Sequence, residues 1–332
     1  MNMHQTYRWG MLAPGKIAHK FASGLQYVPG AELYAIASRD EVKAKNFADQ
    51  YHAPVSYGSY EALATDPLVD IIYIATPHTF HMENTLLCLE HGKAVLCEKP
   101  LAINSYQVET MIQSAKENDS FLMEAVWSRF LPNIHRAKEL VESGKIGVIN
   151  HLEADFGFKA DYDPHSRLFD PALGGGALLD IGIYPLFFAL YLFGVPNKVE
   201  SEAKLAPTGV DESCRVKLTF AGGETANIYI TVTEFTAVEA RIEGDQGAIH
   251  LPNRWYQPGN LAITTEHGTE DIVMDFVGNG YNYQAVEVMN CLKEGRREST
   301  RWSHNDSLQL MRLMDEIREQ CGIEYPADHI DR

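Results

Sequence analysis

Glu98, Lys99 and Pro100 abruptly end the apolar run Ala94 to Cys97, and further along Asp180 and Tyr184 follow three consecutive glycines, Gly174 to Gly176. Both clusters carry residue types that can do chemistry. An ammonium group at a strand end polarises a substrate oxygen and lowers the pKa of a neighbouring hydroxyl acid. Asp180 and Tyr184 stand four apart, which puts them on one face if the segment is helical. The carboxylate can then orient a partner while the phenol, its pKa lowered by a neighbouring lysine, exchanges a proton with a substrate hydroxyl. Each pattern also has a plain reading: Lys99 as an exposed loop lysine, Tyr184 as a core aromatic before Pro185, Asp180 as a helix cap.

A third pattern belongs to a phosphate-binding turn. Placed against the dinucleotide fingerprint G-x-G-x-x-G/A, the segment "GMLAPGKIAHKFA" reads Ala13-Pro14-Gly15-Lys16-Ile17-Ala18, with the first glycine absent and the second present. With no side chain at Gly15 the backbone can approach a pyrophosphate, and the helix that follows offers unpaired N–H groups and a favourable dipole. A tight strand-to-helix turn is the competing explanation. At the end of the second strand stand Ser38 and Arg39, a hydroxyl and a guanidinium suited to a 2′-phosphate, which favours NADP. Asp40 follows, and a strand ending one or two residues later places it at a ribose and favours NAD.

Thr76, Pro77 and His78 end a further strand and are placed to line the nicotinamide half of such a cofactor, with His81 one step on. Either histidine reads equally well as a solvated residue in a first helical turn. Glu98 and Lys99 open on the same crevice, and Trp127 and Arg129 are candidates for shaping the pocket. Arg167 is either a phosphate or substrate contact or a salt-bridged loop residue. Asp161, Asp163 and His165 match no strong metal signature, so no metal site is expected.

These residues need elements to hold them. From Arg8 to about Val126, "RWGML", "ELYAIA", "VDIIYIA", "KAVLCE" and "SFLMEAV" read as strands. They alternate with the helical segments "KIAHKFASGLQY", "DEVKAKNFADQYH", "FHMENTLLCLEHG" and "NSYQVETMIQSAKEN", the rhythm of an α/β doubly wound parallel sheet. "SRFLPNIHRAKELVESGKIG" is a joining helix with Pro132 in its first turn. Beyond it "VINHLEADFGF", "VESEAKLA", "CRVKLTF", "TANIYITVT" and "VEARIEGDQGAIHL" alternate apolar with polar residues, as in an open, mostly antiparallel sheet. A final helix spans Ser307 to Cys321. The expected division is a dinucleotide-binding domain over 1–125 and an α+β substrate domain over 126–332.

With 332 residues the chain has room for two cores, and a formal charge of −17 without any long basic run disfavours nucleic acid. No membrane role is expected, and the N-terminus shows no secretion signal. Five cysteines without CxxC spacing read as reduced thiols of a cytoplasmic protein.

"PGKIAHKFA", "IATPHTFH", "GKAVLCEKPLAIN", "EAVWSRFLP", "SRLFDPALGGGALLDIGIYP" and "SHNDSLQLMRLMDEIREQ" together resemble the glucose–fructose oxidoreductase / inositol dehydrogenase (Gfo/Idh/MocA) family over nearly the whole chain. "EAVWSRFLP" and "LLDIGIYPL" are most similar to its branch of dimeric dihydrodiol dehydrogenases and NADP-dependent D-xylose dehydrogenases. The resemblance implies a Rossmann domain and hydride transfer between NADP and a hydroxyl carbon of a sugar, cyclic polyol or trans-dihydrodiol. It implies Lys99 as catalytic lysine, Tyr184 as acid/base and Asp180 orienting the pair, with the two side chains contributed by different domains. It further implies a homodimer or homotetramer formed through the second domain's sheet. Two positions depart from the family pattern: Ala13 replaces a glycine, and Tyr184 stands where many relatives carry histidine. A redox-neutral relative with tightly held NAD and a non-catalytic dinucleotide sensor are the competing readings.

Overall fold

The structure, a computed structural model, describes residues 6–329; the first five residues of the N-terminus read above lie outside that range. Two compact units form. The first holds the chain up to Trp127 together with Val277–Leu308, and the second holds Ser128–Phe276 and the chain from Gln309 onward.

In the first unit the expected alternation is realised: β1 (Tyr7–Leu12), α1 (Lys16–Leu25), β2 (Ala31–Ala37), α2 (Glu41–Tyr51), β3 (Val55–Tyr57), α3 (Tyr60–Ala64), β4 (Ile71–Ile74), α4 (His81–Glu90), β5 (Ala94–Glu98), α5 (Ser105–Glu117) and β6 (Leu122–Ala125). The strands run parallel in the order β3-β2-β1-β4-β5-β6. The order in which successive strands are added to the sheet reverses between β1 and β4, and at such a switch point the carboxyl ends of the strands leave a crevice. β4 and β5 are buried throughout, as near-continuous apolar runs in a parallel sheet should be.

In the second unit, α6 (Pro132–Glu142) starts with proline at its first position, where the missing N–H costs nothing. β7 (Ile149–Gly157) follows. A helical run over Pro171–Phe193 then combines a π turn, Leu178–Gly182, with α7 (Ile183–Phe193). Next come β8 (Lys198–Leu205), β9 (Asp211–Thr219), β10 (Thr225–Thr231), β11 (Ala240–Gly244), β12 (Gly247–Leu251), β13 (Leu261–Thr265) and β14 (Gly268–Ile272). They pair in the order β14-β13-β12-β11-β7-β10-β9-β8, antiparallel except where β10 meets β7. α7 packs on β7 and β10. The other sheet face is polar, and Glu200, Lys217, Asn227, Glu153, Arg241 and His250 form one cross-strand row along it.

Two expectations need correction. The chain does not divide once near residue 125, because α8 (Tyr281–Lys293) and the start of α9 (His304–Cys321) return to the first unit. There α8 packs on α1, and the Asn279 amide just before it donates to the Lys20 carbonyl at 2.8 Å. The segment "VEARIEGDQGAIHL" is a hairpin, β11 and β12, rather than one strand. An apolar run of membrane-crossing length does exist in Pro171–Phe193, with mean hydropathy 1.8, and 83% of its most apolar stretch is buried inside the protein, which accounts for its composition.

Candidate active site

The phosphate turn takes its shape from backbone conformation. Ala13 adopts φ 66°, the left-handed region in which the fingerprint ordinarily uses glycine, and its N–H donates to the Ala37 carbonyl at 3.0 Å. Gly15 then caps α1 with φ −86°, an ordinary value, and a Cβ built there meets no protein atom within 4 Å. Nothing inside the protein therefore requires glycine at that position; the open space lies at a helix N-terminus that no side chain caps. By contrast α2, α3 and α5 are each capped by a side chain, from Asp40, Ser59 and Asn104. Lys16 and Ile17 form the first turn of α1, exposed and half-buried. This cradle fits a dinucleotide pyrophosphate.

Arg39 is exposed directly after β2, with its guanidinium 5.6 Å from the Phe80 ring. Ser38 is buried, its hydroxyl accepting from the Asp40 N–H at 3.1 Å. Asp40 is spent on its own helix: it accepts from the Lys43 N–H at 3.1 Å and lies 3.7 Å from the Lys43 ammonium.

At the ends of β4 and β5 the polar residues sort into two kinds. Pro77, His78 and Lys99 retain partial exposure, whereas Thr76, His81, Glu98 and Pro100 are buried. His81 is neither solvated nor a lining residue, which corrects both readings made from sequence. Its Nδ1 faces the Pro100 carbonyl at 2.8 Å and its Nε2 the Thr76 carbonyl at 2.9 Å, so the ring clamps the two strand-end turns together, and burial lowers its pKa. Glu98, placed among the cofactor contacts from sequence, turns inward instead. It accepts from the Tyr73 hydroxyl and, at 3.3 Å, from the Lys99 N–H. Glu124, on the neighbouring strand, accepts from the Leu101 N–H at 2.8 Å and the Trp302 indole N–H at 3.2 Å. The Lys99–Pro100 peptide between these acids is cis.

Trp127 is buried and stacks on Tyr281 of α8 at 4.2 Å between ring centroids. Arg129, expected at a pocket, lies in the second unit with its guanidinium 4.0 Å over the Tyr191 ring of α7, in packing rather than on a surface.

The second unit assembles the other cluster. Asp180 lies on the π turn and Tyr184 in the first turn of α7. Arg167 pairs with Asp180 through two hydrogen bonds of 2.9 and 3.2 Å, as its salt-bridged reading expects, and Tyr184 lies within its electrostatic reach. Tyr184 also belongs to an aromatic group that sequence reasoning missed: Phe156 at 5.7 Å and Tyr256 at 4.9 Å between centroids, with Phe156 stacked on Tyr256 at 4.3 Å. Burial raises the Tyr256 phenol above its ordinary value, and Asp180 adds to the rise. Asp163 accepts from the His165 N–H at 3.0 Å, and among the described residues no group of three or more His, Cys, Asp or Glu could hold a metal ion.

Gly176 of the triglycine is explained by Asp211, a residue that nothing in the amino-acid order marked out. Its buried carboxylate accepts from the Leu178 N–H at 2.7 Å, at the start of the π turn, and burial pushes its pKa up to about 6. Gly176, at φ 110°, leaves room for that carboxylate, and a Cβ there would collide with Asp211 Oδ1. The Tyr325 hydroxyl donates to the Gly175 carbonyl at 2.5 Å and closes the turn from the far end of the chain.

Comparison with known proteins agrees with this geometry. Residues 7–126 match the model of the oxidoreductase family with an NAD-binding Rossmann fold, and residues 134–250 match the Gfo/Idh/MocA C-terminal domain. The chain belongs to the Gfo/Idh/MocA oxidoreductase family. It is 39% identical over 331 residues to the trans-1,2-dihydrobenzene-1,2-diol dehydrogenase of Danio rerio, covering 97% of this chain and 98% of that one. With its Homo sapiens counterpart the identity is 36% over 332 residues, with the same coverage of 97% and 98%. Among solved structures, an aldose-aldose oxidoreductase from Caulobacter crescentus complexed with glycerol aligns at TM-score 0.88 and 26% identity, covering 96% of this chain and 98% of that one. A 3-ketoreductase from Actinomadura kijaniata in complex with NADP and TDP-benzene aligns at TM-score 0.85 and 25% identity, with the same coverage of 96% and 98%. A levoglucosan dehydrogenase in complex with NADH and levoglucosan shares the fold at TM-score 0.87 and 22% identity, covering 97% and 98%.

Two substitutions probe the geometry. Gly15→Val points into open space and should change stability by no more than ~1 kcal/mol, yet fluorescence titration should show dinucleotide affinity falling by ~10-fold or more as the pyrophosphate loses its approach. Gly176→Ala should cost about 2 kcal/mol or more in a denaturant melt. Gly209→Ala, equally left-handed at φ 91° but with no atom within 4 Å of the new Cβ, should cost only the backbone strain of roughly 1 kcal/mol.

Proposed function

We propose that this protein is an NADP-dependent oxidoreductase acting on a secondary hydroxyl of a dihydrodiol, cyclic polyol or sugar. The observation that carries the reading is a pyrophosphate cradle at Gly15 in the same unit as a partly exposed lysine at a strand end, in a chain related over its full length to diol dehydrogenases. A bound nicotinamide dinucleotide supplies the acceptor or donor of the hydride. Gly15 and the first turn of α1 hold its pyrophosphate, and Thr76, Pro77 and His78 stand at the strand end beside it.

NADP is favoured over NAD because the Asp40 carboxylate, two residues past Ser38 at the end of β2, already caps α2 and pairs with Lys43. Arg39 is left as the group that a 2′-phosphate can engage bidentately. In oxidation a Tyr184 phenolate would accept the hydroxyl proton, and in reduction the phenol would return it; the Lys99 ammonium is the group of the first unit suited to stabilising an oxyanion. Asp180, fixed by Arg167, sets the electrostatics around the phenol. The aromatic group of Phe156, Tyr184 and Tyr256 suits the C–H faces of a cyclic substrate. We also assign the polar face of the second sheet to contact with a second copy of the chain: its row alternates Glu200, Lys217, Glu153 and Arg241, which a two-fold partner can match. Five free thiols fit a reducing, cytoplasmic setting.

A panel of trans-dihydrodiols, cyclic polyols and aldoses, followed by nicotinamide absorbance with NADP and with NAD, tests the reaction. Lys99→Ala should lower kcat by at least ~100-fold while NADPH binding by fluorescence changes less than about threefold. Adding Tyr184→Phe should cost less than the product of the two single effects, since groups serving one transition state are not additive; wild-type turnover in Lys99→Ala would end this reading. Arg39→Ala should raise the KM for NADP by ~10-fold or more and leave that for NAD nearly unchanged.

A further inference from the structure

We propose that Glu98 is a positioning residue for Lys99: its carboxylate, gripped by the Tyr73 hydroxyl of β4, holds the main chain of the turn from which the lysine projects. The proposal rests on the reading of Lys99 as the catalytic lysine and adds a residue that acts through it.

Geometry carries the argument. Glu98 is the last residue of β5, 5% exposed, and its two oxygens are used by different parts of the fold. Oε1 accepts from Tyr73, whose ring is stacked on Phe21 at 3.8 Å and so is fixed in the core of the sheet. Oε2 accepts from the Lys99 N–H at 3.3 Å. Among the described residues, the charged and titratable groups that act on this pair include Lys99 itself, Glu124 from β6, and, around Tyr73, Tyr281 from α8 and Cys97. His81 of α4 feels Lys99, and burial lowers its pKa against the carbonyls it faces.

The two neighbouring acids are not equivalent. Glu124 receives the Leu101 N–H, the Trp302 indole and the Ser307 hydroxyl, three donors that oppose the rise in pKa that burial imposes on it. Glu98 has two donors, and burial pushes its pKa up to about 7, with Tyr73 and Lys99 opposing the rise. The sign follows directly. Above about 7 the carboxylate accepts from both donors and holds the turn; below it, a proton on Oε2 would set a donor against the Lys99 N–H, and that grip is lost. Tyr73 favours the ionised form, so removing its hydroxyl must raise the pH at which the grip fails.

The test uses the full-length protein, NADP and whichever diol or aldose the panel shows to be turned over. Wild-type kcat should fall as pH is lowered through about 7. Glu98→Gln should lose this inflection and show kcat lower by roughly 10- to 100-fold at pH about 8, as misplacement of a reacting group does, with the NADPH dissociation constant within ~2-fold. Tyr73→Phe keeps the stack on Phe21 and should move the inflection to higher pH; it carries the test if Glu98→Gln does not fold. An inflection that persists in Glu98→Gln, or stays in place in Tyr73→Phe, overturns the proposal; Asp211, which titrates near 6 in the other unit, would give such an unmoved limb. Should Lys99→Ala keep wild-type turnover, the catalytic reading fails instead, and the two failures are told apart by that variant.

Discussion

A carboxylate taken out of water must find hydrogen-bond donors, and this structure places three such groups where the backbone has donors to spare. Asp211 meets the N–H groups at the start of the π turn, Glu124 meets Leu101, and Glu98 meets Lys99. Each link is worth only about 1.5–3 kcal/mol net, but removing one partner leaves a buried polar group unpaired at comparable cost. The arrangement is therefore asymmetric: it adds modest stability when complete and is expensive to break. That asymmetry suits segments that must hold one conformation, and each of the three acids adjoins a segment bearing a proposed catalytic side chain.

The rest of both clusters follows from this. Gly176 precedes Asp180 because the Asp211 carboxylate and the Tyr325 hydroxyl occupy the space that a side chain there would take, and Gly175 because the Leu168 and Asp170 backbone does. The π turn they start gives way to α7, so Asp180 and Tyr184 are set by a carboxylate on a β-strand and a phenol near the end of the chain. In the first unit, His81 ties the Thr76 and Pro100 carbonyls together, and Trp302, from the returning segment, anchors Glu124. Against these filled positions, α1 begins with no side-chain cap and with open space at Gly15. The open space at Gly15, beside N–H groups that no side chain caps, suits an anion from outside.

Much of this was legible in the amino-acid order. Apolar runs cut off by Gly, Pro or charge marked β1, β2, β4, β5 and β6, and period-two alternation marked the second sheet. Of the elements missed, β3 has three residues, α3 has five, and β14 is "GTEDI", polar and mostly exposed; β13 (Leu261–Thr265) and α8 (Tyr281–Lys293) were passed over as well. The return of Val277–Leu308 could not be read because helical periodicity says which face is buried and never against which partner. Asp211 was invisible for a different reason. In an alternating strand a single aspartate reads as solvent-facing, and only the tertiary approach of the π turn makes it a buried acceptor. Arg167 had been left with two readings, and its choice of Asp180 depends on a loop whose path carries no periodic signal.

Ala13 shows how motif and conformation separate. The fingerprint asks for glycine at the first position because the turn needs a left-handed residue there, and this chain meets the need with alanine at φ 66°. Strain of about 1–2 kcal/mol is the expected cost for an L-residue in that region. The turn holds nonetheless, because the Ala13 N–H is fixed to the end of β2 and its carbonyl accepts from Gly15 at 2.8 Å. Gly15 cannot be exchanged on the same terms. Its φ of −86° is open to any residue, and the space beside it is empty, so glycine there answers to no strain in the protein at all. The first position is governed by what the backbone must do and the second by what must fit against it, and only the second testifies to a ligand.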